Sequence, residues 1–361
     1  MDAGSSSQTV VELKGPEAGR VSIKAVAAAS GVSPATVSKV LSGRAEYPVR
    51  TETAERVRQV ARELGYVPDV AARNLRTRQT GQLGVVLEAV GPSEPDNLLG
   101  EPEASRAVSR TFDGAIMAGL SGAARELDVP ALVVYPGGQQ LARTYLDGRV
   151  DGLLVSCDPL RGHDLLERLS GTALPVVALW SEQVPPGMGA ADVDHAGGAA
   201  QAVNHLLELG HTRIAFYGGG QASGVEHFQR REAGYRGALA AAGLTALPPL
   251  HDGTALVEAV RRGTVTAVFA ETDLGAAAAF QALSGAGLSV PQDVSLIGFD
   301  DIQGAEYIAG GLSTVYHPAA EMAAEGVRLL LEQLAGHPPR QVLLPTRLVL
   351  RDSTGPNPGG D

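Results

Sequence analysis

Seven short apolar runs beyond residue 81 place the tightest limit on what this chain can fold into: LGVVL, PALVVY, GLLVS, PVVAL, RIAFYG, TAVFA and VSLIGFD. They are nearly continuous in apolar residues rather than alternating, the pattern of strands buried on both faces of a parallel sheet. Ala- and Leu-rich stretches long enough for crossover helices separate them, so the spacing is that of repeated β-α-β units and predicts an α/β body. At 361 residues the chain also exceeds the size at which one hydrophobic core usually stops growing, which predicts at least two units.

The stretch ahead of these runs is different in kind. Residues 21–80 carry ten Lys/Arg against five Asp/Glu, a net of +5, whereas the whole chain stands at -11. A small basic module on a large acidic body meets a polyanion with one end only. Within it, Ser22 is placed to cap a short helix whose inward face is Ile23, Val26 and Ala27. Ser30-Gly31 breaks that helix, and Ser33 caps a second with Pro34 in its first turn, where a missing N–H costs nothing. Val37, Val40 and Leu41 then point inward, leaving Pro34, Ala35, Thr36, Ser38 and Lys39 on the outer side. A third helix is expected from Thr51, read as its cap, to Leu64, with Ala54, Val57, Val60 and Ala61 closing a miniature core and Gly65 ending it. Two short helices joined by a glycine-containing turn form a helix-turn-helix, whose second helix fits the major groove of DNA.

Other classes lose support from what is missing. No apolar run reaches membrane-span length, and MDAGSSSQTVVELKGPEAGR has neither the basic head nor the apolar stretch of a secretory signal. A single cysteine, Cys157, gives no intramolecular disulfide framework and suits a reducing cytoplasm, and its place in GLLVSCDP reads as a buried strand-end thiol. No GxGxxG follows the first strand and no GxxxxGK[ST] occurs, while the glycine-rich YGGGQASG is weak evidence alone. The histidines are too scattered for a metal signature, so neither metal nor cofactor is expected.

The stretch from Val21 to Leu87 closely resembles the lactose-repressor and galactose-repressor family of bacterial transcriptional regulators, through IKAVAAASGVSPATVSKVLSG and VRTETAERVRQVARELGYVPDVAARNLRTRQTGQLGVVL. The resemblance implies that Pro34, Ala35 and Lys39 face bases and that Ser33, Thr36 and Ser38 hold the DNA backbone. Family members often carry arginine at the position of Lys39, so the planar fork that reads guanine is absent here. PDVAARNLRTRQTG matches the family's hinge, a helix too short to stand alone, whose leucine wedges between base steps of the minor groove. Leu75 matches that leucine, with Arg73 and Asn74 beside it.

The body resembles the family's sensor core over almost all of 82–352, through LLELGHTRIAFYGG, RREAGYRGALAAAGL, TAVFAETD, VPQDVSLIGFDDI and LPTRLVLRDST. That core is like periplasmic sugar-binding proteins: two lobes of parallel sheet closing over a small polar ligand. By resemblance the first lobe spans about 82–181 plus 311–338, and the second about 182–310 plus 339–352. Arg231 matches the effector-contacting arginine and Asp273 the acid ending FAETD, their ordinary readings being a helix-surface charge and a strand-end cap. Asp194 and His195 fall where the family commonly shows V-D-N, His195 replacing the amide. Trp180, at the expected first crossover, reads equally as a stacking platform or as packed filler. After the first strand a polar, acidic insert around residues 90–110 replaces the family's aromatic segment and is expected to loop over the cleft mouth, Phe112 keeping part of the aromatic role.

The expected organisation is a disordered tail (1–20), a helix-turn-helix domain (21–67), a hinge (68–81), a two-lobed effector-binding and dimerisation core (82–352) and a flexible tail (353–361). The expected function is a cytoplasmic homodimeric repressor on double-stranded operator DNA, controlled by a sugar or related polar metabolite. A sugar-binding protein without DNA binding is the alternative, disfavoured by the basic head. An enzyme has no nucleophile motif or paired-carboxylate signature in its favour.

Overall fold

The computed structural model describes residues 21–41, 49–67, 79–87, 103–136, 145–156, 162–218 and 226–359, without the side chains of 103–113, 136 and 162–164. Contacts divide the chain between Arg78 and Gln79 into two compact units.

The first unit holds three helices, α1 (Ile23–Ser30), α2 (Pro34–Leu41) and α3 (Thr51–Glu63). The Ser22 side chain accepts a hydrogen bond from the Ala25 amide, closing the start of α1, and Gly31 ends it at φ 64°, a left-handed conformation that glycine adopts without steric cost. Val26, Ala27, Val37, Val40, Ala54, Val57 and Ala61 form one buried cluster contributed by all three helices. The start of α3 departs from expectation: Arg50 occupies the cap position without a side-chain bond, and Thr51 is already helical.

In the second unit, six parallel strands form a sheet in the order β2 (Ala131–Pro136), β1 (Gln82–Leu87), β3 (Gly152–Ser156), β4 (Val176–Leu179), β5 (Gly189–Val193), β10 (Gln341–Leu344). Asp151 anchors its entry, its carboxylate accepting from the Thr80 and Gly81 amides at 2.7 Å each. Helices α4 (Glu103–Glu126) and α10 (Ala319–Leu334) cover one face through Ile116, Leu120, Met322, Val327 and Leu330. Tyr135, Tyr145, Leu165 and Leu166 cover the other, the leucines from α5 (Gly162–Leu169).

A second parallel sheet runs β6 (Ile214–Tyr217), β7 (Ala267–Ala270), β8 (Ser295–Ile297). Its side chains alternate between two clusters: Ile214, Phe216, Ala267 and Phe269 face α6 (His195–Glu208) and α7 (Glu226–Ala241), while Ala215, Tyr217, Val268 and Ala270 face α8 (Gly253–Arg261) and α9 (Asp273–Gly285). An antiparallel pair, β9 (Thr314–Tyr316) and β11 (Arg347–Val349), flanks this lobe.

Two further expectations need correction. The lobe boundaries move, because β5 and β10 are hydrogen-bonded to each other and β5 to β4, so 189–193 and 341–344 belong to the first sheet. The three passages between lobes therefore lie at Asp194, His317 and Thr346; Asp194 and Thr346 are tied together, the Asp194 amide donating to the Leu344 carbonyl at 2.9 Å and the Thr346 hydroxyl to the Asp194 carbonyl at 3.3 Å. The carboxyl-terminal segment, expected to be flexible, is strapped across the second lobe as far as Gly359. Ser353 is buried and its hydroxyl donates to the Leu296 carbonyl at 2.6 Å. The Gly355 amide donates to Ser295 Oγ, and the Asn357 side-chain amide to the Gly210 carbonyl. Its Pro and Gly content removes helix but not backbone hydrogen bonding.

Candidate functional site

In the first unit, helix capping positions the outward residues of α2. Ser33 Oγ accepts from the Thr36 amide at 3.1 Å and lies 2.9 Å from Thr36 Oγ1, so both hydroxyls are engaged at the helix start. Pro34, Ala35 and Lys39 are exposed on one side, Ser38 is half-buried, and Val37 and Val40 lock the opposite face into the core. Arg56 Nε donates to the Ser30 carbonyl at 3.2 Å, pinning α3 to the turn that orients α2. Arg73, Asn74 and Leu75 lie outside the described residues, as do Cys157, most of the insert, and the side chain of Phe112.

In the second unit, a polar cluster forms where the passages between lobes meet the ends of β4, β5 and β8. Arg231, on α7, is at its centre and almost wholly buried. Its Nε donates to His195 Nδ1 at 3.3 Å, one terminal nitrogen to the Glu271 carbonyl at 2.5 Å and the other to Asp300 Oδ1 at 2.9 Å. The guanidinium carbon stands 3.8 Å from the centre of the Phe299 ring, adding a cation–π contact. Close packing brings α7 to this place: a side chain at Gly234 would collide with the Ala196 backbone of α6, so only glycine allows the approach.

Around Arg231, His195 stacks on His227 at 5.4 Å between centroids, lies 5.7 Å from His317, and His317 meets Trp180 edge-on at 5.9 Å. Asp192 on β5 faces His195 Nε2 at 3.4 Å and Arg230 at 3.5 Å, and Arg230 is also paired with Glu182 and Glu226. A pocket of about 220 Å³ opens here, lined by Ser181, Glu182, Ala190, Asp192, Gln341, Val342 and Leu343. Trp180, Asp300 and Asp301 carry φ of 66°, 120° and 55°, conformations that side chains rarely adopt and that cost roughly 1–3 kcal/mol each. Strain thus concentrates at the lobe junction.

Burial sets the protonation states. It holds the His195, His227 and His317 imidazoles well below their ordinary basicity, Arg231 adding to the effect on His195 and His227, and His195 to that on His317. Burial raises Asp192 to about 6 and Asp300 to about 6, in the latter case against the pull of Arg231.

Of the residues singled out from sequence, Trp180, His195 and Arg231 come together here. Asp194 does something else: it caps α6, its Oδ1 accepting from the Gly197 amide at 2.7 Å. Asp273 also departs from expectation. It is fully buried, its two oxygens accepting from Thr314 Oγ1 at 2.5 Å and the Ile302 amide at 2.9 Å, so it braces the segment carrying Asp300 rather than facing the cleft. Burial, then the charge of Asp300, raises it to about 8. His227, His317, Phe299, Arg230 and Glu182 were not anticipated, since nothing in their spacing signals that they meet. Among the described residues no group of His, Cys, Asp and Glu is arranged to hold a metal ion.

Comparison with known proteins places both units. Residues 22–69 match the model of bacterial regulatory proteins of the lacI family, and residues 203–354 that of a periplasmic binding protein-like domain. The transcriptional regulator CelR of Thermobifida fusca is 33% identical over 362 residues, covering 92% of this chain and 98% of the relative. A solved complex of CelR with cellobiose is 30% identical, with a TM-score of 0.58 and coverage of 92% of this chain and 100% of that one. The lac repressor dimer bound to operator and an anti-inducer shares the fold, at a TM-score of 0.70 and 24% identity over 93% of this chain and 100% of that one.

Proposed function

The chain belongs to the lacI family of bacterial regulatory proteins, and on that premise we propose that it acts as a repressor whose effector is a sugar received beside Arg231. Membership makes it a sequence-specific DNA-binding regulator with effector-controlled operator binding, and not an enzyme. Regulators of this type bind operator DNA and small-molecule effectors as dimers.

The effector reading rests on one observation: Arg231 is a buried cation at the lobe junction, packed on the Phe299 face and bonded to Asp300, and its neighbour Arg230 pairs with Glu182 and Asp192 of the adjoining pocket. Guanidinium and carboxylate groups hold vicinal hydroxyls, and Trp180 supplies an apolar ring nearby. Cellobiose, the ligand solved with CelR, is the first compound to test. Closure around such a ligand changes the angle between lobes, and by linkage DNA alters effector affinity by the same factor.

On the DNA side, Pro34, Ala35 and Lys39 are proposed to face bases in the major groove. Ser33, Thr36 and Ser38 hold the backbone, and Arg73, Asn74 and Leu75 enter the minor groove. Two copies, paired through the first lobe, read a near-palindromic site in the cytoplasm.

The test is fluorescence anisotropy of the full chain on its own upstream DNA at stated salt, with and without a panel of mono- and disaccharides that includes cellobiose. Tight, sequence-dependent binding that one sugar relieves supports the proposal. Binding unchanged by every sugar removes the sugar assignment, and no preference over random duplex, persisting across a genomic selection, removes the operator reading.

A further inference from the structure

We propose that His195 is a positioning residue that ties the Arg231 guanidinium to Asp192 of the six-stranded sheet, and that it does so only as the neutral tautomer with its proton on Nε2. The donor inventory fixes the tautomer. Arg231 Nε has only a hydrogen to give, so His195 Nδ1, 3.3 Å away, presents a lone pair. The remaining hydrogen sits on Nε2, which faces Asp192 Oδ1 at 3.4 Å. Both separations are long for hydrogen bonds, so the arrangement sets direction more than it adds strength. It spans the first passage between lobes: Asp192 stands one residue before the end of β5, His195 begins α6, and Arg231 stands on α7. A lobe movement that turns the backbone at Val193 and Asp194 therefore breaks the chain of contacts at its middle member.

A second proton on His195 is incompatible with this arrangement. It would place a donor against the Arg231 donor, with positive charge beside His227, His317 and the cations of Arg231 and Arg230. The carboxylates that oppose that charge are already committed, Asp300 to Arg231, and Glu182 and Glu226 to Arg230; Asp192 is shared between Arg230 and His195. The packed cluster therefore keeps the ring neutral. Any movement that admits water restores its ordinary basicity, so protons on this ring favour the opened arrangement below about pH 6.5, opposed in part by Asp192, which the closed cluster raises to about 6. At one pH unit below that value the bias from this ring alone is about tenfold.

Neither sugar nor operator is needed to test this, so its failure is distinct from failure of the repressor proposal. In the full chain labelled with ¹⁵N-histidine, the resonances lost in His195→Asn identify His195. A neutral Nε2–H pattern at pH 7.5 is expected, and an Nδ1–H or imidazolium pattern at that pH overturns the proposal. Trp180 is the chain's single tryptophan and lies beside His317, so its fluorescence reports the same junction. Wild type is expected to show an acid transition below pH 6.5. His195→Asn, which keeps an acceptor for Arg231 but cannot titrate, is expected to need about tenfold more acid. His195→Phe keeps the ring packing without either nitrogen, and is expected to show the opened signal at every pH. Acid transitions that coincide in wild type and His195→Asn overturn the proposal, as does a closed signal in His195→Phe.

Discussion

The helix-turn-helix core and the Arg231 cluster both exclude water, but they do so with opposite materials. In the first, seven small and β-branched side chains from three neighbouring helices fill the interior, and the polar atoms stay outside, satisfied within a few residues: Ala25 by Ser22, Thr36 by Ser33. In the second, a guanidinium, three imidazoles and two carboxylates are taken out of water, and their partners come from positions between 180 and 317. An apolar interior weakens by the amount of contact removed. A polar one loses far more when a single member goes, because the charge left behind keeps its desolvation cost.

That contrast orders the substitutions. Arg231→Ala leaves Asp300 buried without its cation, and chemical denaturation of the core is expected to show a loss of about 3–5 kcal/mol. A loss under about 1 kcal/mol would mean that water or Arg230 substitutes freely and that the cluster is not dry. Asp273→Ala strands the Thr314 hydroxyl and the Ile302 amide and is expected to cost about 1–3 kcal/mol in the same transition, with effector response changed only through Asp300.

The cluster's titration sharpens the comparison further. His195, His227 and His317 have lowered basicity in the folded state, so their contribution to stability is complete above about pH 6.5 and is lost as pH falls below it. Asp273, raised to about 8, works in the other direction, costing stability as pH climbs toward 8. Asp192 and Asp300, raised to about 6, partly offset the histidines on the acid side. Thermal unfolding of the core is therefore expected to change little between pH 5.5 and 6.5, where the histidines and the three carboxylates nearly cancel, and to lose on the order of 1 kcal/mol between pH 7 and 8 as Asp273 gives up its proton. Stability that climbs steadily from pH 5.5 to 8 would show that the carboxylates do not stay buried.

Effects in the head are smaller. Ser33→Ala removes one cap and is expected to cost about 1 kcal/mol of head stability, with operator affinity falling as α2 frays. Arg56→Ala removes the bond to the Ser30 carbonyl and is expected to cost about 0.5–1.5 kcal/mol. If Arg56 positions the turn without touching phosphate, the dependence of operator affinity on salt keeps its slope; a slope shallower by about one unit would assign it to phosphate instead.

Much of the fold was legible because the signals were local. All seven apolar runs form strands of the two parallel sheets, and Ser22, Gly31, Ser33 and Gly65 punctuate the head as their chemistry predicts. The strands that escaped notice, GAADV, TVY, QVLL and RLV, are short or weakly apolar, and GAADV and QVLL are the ones that move the lobe boundary. Thr51 showed the limit of cap reading, for a good cap residue one position late is simply the first residue of the helix. The tail was misread because Pro, Gly and Asn mark loops without saying whether a loop has somewhere to bond, and here Ser295, Leu209 and Gly210 receive it.

What sequence alone determined is whatever depends on neighbours in the chain: helix starts and stops, the apolar face of each element, the charge contrast between head and body, and the motifs that carry the family. Tertiary structure decided which polar residues meet. Arg231, His195 and Trp180 stand in one cluster with His227, His317 and Phe299, and Asp273 is turned inward as a brace. The physical reason is that a buried charge is tolerated only where partners arrive from several segments at once, and that depends on how sheets and helices pack, not on spacing along the chain.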